Sequence, residues 1–233
     1  MALAGVLWDV DDTLFDYAGA ERAGILRHLT DEGLLADEQA LGRWRQVMEE
    51  VYARFVAGEL TFLEHRRERA RRFLDAPDLP DDRADAWFAG YVRAYEAAWR
   101  AFPDVLPALE ALDALDGSLA HGVLSNSSVV HQERKLRRLG LRDRFSCLLC
   151  SAELGFAKPD PRAFAAACEA LGLPPHQVAY VGDRLDLDAL GARDAGLHGI
   201  WLDRGGAGGD TPEGVHRIGG LAELPALLQR VVG

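Results

Sequence analysis

Cysteine is scarce in this chain of 233 residues: there are 3, an odd number, while 48% of the residues are hydrophobic. A core of ordinary size is available, and disulfides are not needed to replace it. Two of the thiols, Cys147 and Cys150, have the spacing of a redox pair or half a zinc site. The run from Phe145 to Cys150 reads as a buried strand, where positions three apart point to opposite faces, and no second pair or nearby histidine completes a metal site. They are read as core thiols. Long apolar runs are missing too. The N-terminal stretch Met1–Trp8 lacks a basic start and runs into Asp9, Asp11 and Asp12, which fits neither a signal peptide nor a membrane span. The reading is a cytoplasmic protein with no membrane partner. Cations are also in deficit, 26 against 37 acids, for a net charge of -11. Such a surface repels a nucleic-acid polymer but leaves small anions free to enter a locally positive site.

What is present is an alternation. Short apolar runs at Ala4–Val10, Ala120–Leu124, Phe145–Cys150, Val178–Val181 and His198–Leu202 read as buried strands. Helical patterns such as Pro107–Leu115, Val130–Leu139 and Pro161–Leu171 separate them. This predicts an α/β fold: a Rossmann-like, three-layer core with a mostly parallel sheet between helices. From Phe15 to Arg100 the alternation stops. Leu41, Trp44, Val47, Met48, Val51, Tyr52 and Phe55 recur at helical spacing, as do Phe62, Leu63, Ala70, Phe73 and Leu74, and then Trp87, Phe88, Tyr91, Val92, Tyr95 and Trp99. An inserted α-helical domain is expected there. The stretch Gly205–Gly209 reads as a surface loop.

Ligands of an open parallel sheet bind at the carboxyl ends of its strands. Four polar clusters fall there: Asp9, Asp11, Asp12 and Thr13; Ser125 and Asn126; Lys158-Pro159; and Gly182, Asp183, Asp186 and Asp188. Convergence of Asp9, Asp11 and Asp183 is costly unless a divalent cation joins them or some stay protonated. Magnesium suits such a site, since it takes one or two carboxylates, keeps waters and binds substrate phosphate. Lys158 and the Ser125 hydroxyl suit the oxygens of a phosphoryl group in transfer.

In order along the chain, Asp9-Val10-Asp11-Asp12-Thr13-Leu14, Ser125-Asn126, Lys158-Pro159-Asp160-Pro161 and Val181-Gly182-Asp183 through Asp188 to Gly191-Ala192 resemble the four motifs of the haloacid dehalogenase-like hydrolase superfamily. The resemblance implies a catalytic core of residues 1–14 and 101–233 and a helical cap of the first type over residues 15–100. It implies Asp9 as nucleophile, through an aspartyl-phosphate, and Asp11 as general acid and base. Asp9, the carbonyl of Asp11 and Asp183 are the implied magnesium ligands, with Asp188 orienting Lys158 or a metal water. Ser125, Asn126 and Lys158 are implied to hold the phosphate. Thr13 is expected to support its loop through a side-chain to backbone hydrogen bond.

The function expected is a magnesium-dependent phosphomonoester hydrolase of a small phosphorylated metabolite, a nucleoside monophosphate or sugar phosphate. The alternatives are a sugar phosphomutase, a dehalogenase and a binding protein without catalysis. Asp11 counts against a dehalogenase, because a halide leaving group needs no proton. Asp16 is read as a helix cap or hinge residue, and the arginines from Arg66 to Arg72 as a solvated face with acidic partners. The sequence is compatible with a monomer or a homodimer.

Overall fold

The structure, a computed structural model, describes residues 3–115, 119–206 and 209–232. Ala207 and Gly208, in the middle of the glycine-rich loop, lie outside the described residues. The chain divides into two compact units, one made of Met1–Asp16 with Arg100–Gly233 and one of Tyr17–Trp99.

The first unit is built on six parallel strands: β1 (Gly5–Trp8), β2 (Ala120–Ser125), β3 (Cys147–Cys150), β4 (Val178–Gly182), β5 (His198–Leu202) and β6 (Val215–Ile218). Their order is β3-β2-β1-β4-β5-β6. The chain moves outward from β1 to β3, then returns past β1 to β4 and moves outward the other way. Right-handed crossovers therefore place the helices of the two halves on opposite faces. All four residues of β1 and all five of β4 are buried, the pattern of strands covered on both sides. On one face Leu7, Leu124 and Tyr180 pack against Ala163, Phe164, Ala167 and Cys168 of helix Pro161–Leu171. That helix starts where Asp160 accepts from the Arg162 amide at 2.9 Å and Pro161 occupies the first turn, so the Asp160-Pro161 pair of the third motif begins a helix. The sixth strand and the last helix, Leu224–Val232, were not anticipated from the sequence.

The second unit consists of helices α1 (Tyr17–Asp31), α2 (Glu38–Val56), α3 (Phe62–Leu74) and α4 (Asp81–Ala97). Asp37 caps α2 by accepting from Ala40 at 2.8 Å, and Thr61 and Glu64 form a reciprocal capping box on α3. Trp44 is fully buried, with ring contacts to Phe73, Trp87, Phe88 and Tyr91. The cap-region aromatics Trp44, Trp87 and Tyr91 are thus core residues of this unit. The first of these helices was not identified by its periodicity, because its apolar face is broken by Gly24 and the buried polar residues Glu21 and His28.

The two chain passages into and out of the helical unit run side by side. Phe15 and Ala101 form an antiparallel bridge, and Phe102 donates its amide to Leu14 at 3.1 Å. Asp16 directly precedes α1 and pairs with Arg100 at 2.6 Å.

Candidate active site

The order in which the chain adds strands reverses between β1 and β4, the place where open α/β sheets leave a crevice at the carboxyl ends of their strands. Asp9 follows β1 there, its amide donating to Val181 at 2.9 Å, and Asp183 follows β4. Gly182 ends β4 because no side chain fits: a Cβ at this position would lie 2.3 Å from Cγ of Asp188. That close approach lets the π-helical turn Leu185–Leu190 bring Asp188 to the site.

Lys158 joins these elements. Its ammonium donates to Oδ1 of Asp9 at 2.7 Å, to Oδ1 of Asp188 at 2.6 Å and to the Tyr180 hydroxyl at 2.6 Å. The Tyr180 hydroxyl in turn donates to the Leu124 carbonyl at 2.8 Å, and the second oxygen of Asp188 accepts from the Arg184 amide at 3.0 Å. Asp9, Lys158 and Asp188 are buried, with exposures of 7%, 5% and 1%. Carboxylate oxygens of Asp9, Asp183 and Asp188 lie within 4.8 Å of one another. Three acids thus cluster around one lysine, which bonds Asp9 and Asp188. Burial pushes the Asp9 carboxyl up to about 8, with Lys158 opposing and the charges of Asp188 and Asp11 adding to the rise. Asp183 is pushed up to about 7, again first by burial and then by Asp188 and Asp12. The excess negative charge is what a bound cation would relieve.

Ser125, at the end of β2, is buried and accepts from Nε2 of Gln132 at 3.0 Å. Asn126 is exposed, and its amide is bonded to the backbone of Lys158 in both directions, donating to the carbonyl at 2.9 Å and accepting from the amide at 2.8 Å. Its side chain therefore fixes the segment that carries Lys158.

The Asp11 carboxylate is not part of the three-acid cluster. It is held by an ion pair with Lys135 and a 2.9 Å hydrogen bond from Gln132. Lys135 also lies over the Phe15 ring, 4.4 Å from its centroid. Gln132, Lys135 and Tyr180 were not identified from the sequence. A signal existed: Gln132 and Lys135 are three apart on the helix Val129–Arg138, beside Leu136, and all three are buried. Polar residues on a core-facing stripe need partners, and the partners are at the site.

The expected bond from Thr13 is absent. Its hydroxyl is buried without a partner, while the carbonyl of Val10 collects the amides of Thr13, Leu14 and Phe15. The turn closes through these backbone bonds with Asp12 at a φ of 57°, and the Thr13 carbonyl accepts from the Arg204 guanidinium at 3.0 Å. Among the cysteines, Cys150 and Cys168 are buried, and burial raises all three thiols, Cys150 to about 12. Cys150 and Cys168 are core thiols, whereas Cys147 is only partly buried, on a strand whose first three residues are half-buried rather than buried as expected.

Comparison with known proteins agrees with this fold. A family model described as haloacid dehalogenase-like hydrolase matches residues 3–196. A glyceraldehyde 3-phosphate phosphatase of Methanopyrus kandleri is 32% identical over 87% of this chain and 85% of its own. The pyrimidine 5'-nucleotidase YjjG of Escherichia coli is 27% identical over 96% of each chain. Among solved structures, the HAD-hydrolase YfnB of Bacillus subtilis, bound to magnesium, superposes with a TM-score of 0.76 at 22% identity, covering 98% of this chain and 99% of its own. A 2-haloacid dehalogenase of Pseudomonas syringae gives 0.68 at 27% identity, covering 98% and 99%. With the parallel sheet, the cluster at its reversal point and a family match across most of its length, the chain belongs to the haloacid dehalogenase-like hydrolases.

Proposed function

We propose that the protein is a magnesium-dependent phosphomonoesterase of small phosphorylated metabolites, with Asp9 as nucleophile and the helical unit as its cap. The observation that carries this reading is the shared ammonium of Lys158 between Asp9 and Asp188, with Asp183 beside them. The phosphatase names of the curated relatives support it.

The donor set fits magnesium: hard oxygen ligands, more buried acids than cations, and carboxyls that burial holds protonated without one. Asp9, Asp183 and the carbonyl of Asp11 would hold the ion. When bound, it neutralises phosphate charge and favours the ionised carboxylates. Asp9 attacks phosphorus and forms an aspartyl-phosphate as the ester oxygen leaves, and Asp11 gives that oxygen its proton. Asp11 then takes a proton from the water that cleaves the acyl phosphate. Lys158 and Ser125 stabilise the charge on the transferring oxygens. Lys135 and Gln132 position the Asp11 carboxylate.

A dehalogenase needs no group in the role of Asp11. Asp11→Asn is therefore expected to lower kcat/KM, which reads the ester-cleaving step, by about 100-fold or more for poor leaving groups such as alkyl phosphates and much less for nitrophenyl phosphate, while kcat falls for both because hydrolysis of the acyl phosphate becomes slow. An equal loss of kcat/KM with both would remove the acid role.

The direct test is phosphate release from nucleoside monophosphates, sugar phosphates and nitrophenyl phosphate, with magnesium or a chelator. The expected result is turnover with magnesium alone. No turnover of any ester by folded protein, with or without a sugar bisphosphate activator, would overturn the reading.

The raised carboxyls also make a prediction for the metal-free protein. Asp9 and Asp183 hold protons in the folded state up to about pH 8 and 7, whereas unfolded aspartates release theirs near 4. Their contribution to stability is thus full below about pH 4 and lost as pH rises through 7 to 8, at up to ~1.4 kcal/mol per pH unit for each group. Magnesium is expected to raise Tm more at pH 8 than at pH 5, because protons compete for the same oxygens. Calorimetric scans at the two pH values check this, and an equal shift at both would contradict it.

A further inference from the structure

Among the described residues β5 supplies no member of the acid cluster, yet two side chains at its carboxyl end reach both loops that carry the site. Parallel pairing sets Trp201 beside Gly182, the residue before Asp183. Its indole Nε1 donates to the Asp183 carbonyl at 3.0 Å. The same side chain packs with Ala189, Leu185 and Leu190, so the π-helical turn that brings Asp188 rests on its apolar part. Gly199, two residues earlier, lets that turn settle onto the strand: a Cβ there would lie 2.1 Å from the Ala189 carbonyl oxygen. Trp201 is itself held in place. It is 7% exposed, the Arg217 guanidinium lies 4.8 Å from its ring centroid, and Arg217 pairs with Asp203.

Arg204 acts on the loop after β1 as Trp201 acts on the loop after β4. Its guanidinium donates to the Thr13 carbonyl at 3.0 Å, in the turn that starts at Val10 and includes Asp11 and Asp12. The fork that makes this bond is anchored too. It binds Asp104 through two bonds of 2.8 and 3.0 Å and lies 3.9 Å from the centroid of the Phe102 ring, while Asp104 also accepts from the Leu221 amide at 2.9 Å. Neither the indole bond nor the guanidinium bond belongs to the sheet ladder. Irregular backbone takes its shape from such single bonds, because its carbonyls have no ladder partner to fix them. Groups that orient ligating oxygens without touching a metal govern how tightly it is held.

We propose that Trp201 and Arg204 are positioning residues of the magnesium site: Trp201 fixes the segment that presents Asp183, and Arg204 fixes the turn that presents the Asp11 carbonyl. The proposal rests on the reading of Asp9, Asp183 and the Asp11 carbonyl as the magnesium ligands, and it gives β5, which carries none of them, the task of setting how the two loops meet the ion.

The test is calorimetric titration of magnesium into the substrate-free protein at pH 8, for wild type, Trp201→Phe, Arg204→Met and Arg204→Lys. Trp201→Phe keeps an aromatic ring without the donor, and Arg204→Met keeps an unbranched apolar side chain without the fork. Each is expected to raise the magnesium dissociation constant by about tenfold, with a matching rise in the magnesium concentration that half-saturates nitrophenyl phosphate hydrolysis. Removing a positive charge should by itself strengthen binding of a divalent cation, so weaker binding in Arg204→Met reads position and not charge. Arg204→Lys is expected to fall between the two, since it keeps the charge but cannot present the fork, and it serves if Arg204→Met does not fold. Dissociation constants unchanged in the folded variants, even with a loss of stability or of kcat, would overturn the proposal and reduce both residues to structural supports. A change at one position alone would overturn the role of the other. Weaker magnesium binding in the variants without hydrolysis of any ester by the wild type would leave the positioning role standing and overturn the phosphatase reading. No magnesium binding by the wild type would overturn both.

Discussion

Lys158→Met is expected to destabilise the metal-free protein by about 3–5 kcal/mol at pH 8 and to remove measurable turnover. The size follows from what the ammonium holds. It donates to Asp9, Asp188 and Tyr180 within 2.7 Å, and side chains of Lys158 and Asp188 are almost wholly inaccessible. Without it, two buried carboxyls lose their counter-charge, and the cost of leaving them unpaired far exceeds the net value of the pair. The alternative open to Asp9 is protonation, so the deficit should shrink as pH falls toward 5. Urea denaturation of wild type and variant at both pH values checks this. A deficit below about 1 kcal/mol at pH 8 would mean that the lysine does not hold the cluster together. Turnover should be lost in either case, because Lys158 also donates to Asp9, the proposed nucleophile.

Asp9→Asn is expected to reduce turnover by about 10⁴-fold or more while leaving the metal-free protein as stable as wild type or more so. The amide has the shape of the carboxyl but cannot attack phosphorus. It also takes away one of three crowded acids, and the Asp9 carboxyl is already pushed up to about 8 by burial, so the folded state loses little by its neutral replacement. The magnesium-induced rise in Tm should fall with it. Parallel measurements of phosphate release and thermal unfolding separate these effects. A variant with much lower stability would place Asp9 among the structural residues, and one with substantial turnover would remove it as the nucleophile. Combining Asp9→Asn with Lys158→Met should cost less than the sum of the two, because the two side chains share one interaction.

Much of this site was legible because its residues stand at strand ends in a recognisable order. Asp9, Ser125 and Asp183 each follow or close a strand whose apolar run is short and unmistakable. The sequence could not show which acid meets which. Asp188 joins Asp9 and Asp183 because Gly182 leaves room for it, whereas the Asp11 carboxylate goes to Lys135 and Gln132. The pairings of Asp9 with Asp188 and of Asp11 with Gln132 and Lys135 join residues more than a hundred positions apart, for which local pattern carries no signal. Strand β6 was missed for a related reason: Val215–Ile218 has only two buried residues, too few to stand out beside the glycine-rich segment before it. In the helical unit, periodicity located the aromatic core around Trp44, but charge counting could not separate Arg69 from its neighbours, because burial and not residue type distinguishes them.

As the proposed nucleophile, Asp9 should carry the phosphoryl group between the two half-reactions. The measurement that tests it most directly is mass spectrometry of the peptide containing Asp9 after acid quench of Asp11→Asn with magnesium and nitrophenyl phosphate. This variant should form the acyl phosphate with a good leaving group yet hydrolyse it slowly, since no base activates water. One phosphoryl group is expected on Asp9 at the quench, absent from Asp9→Asn treated alike. Release of nitrophenol and phosphate together, with Asp9 unmodified at every time point, would contradict it.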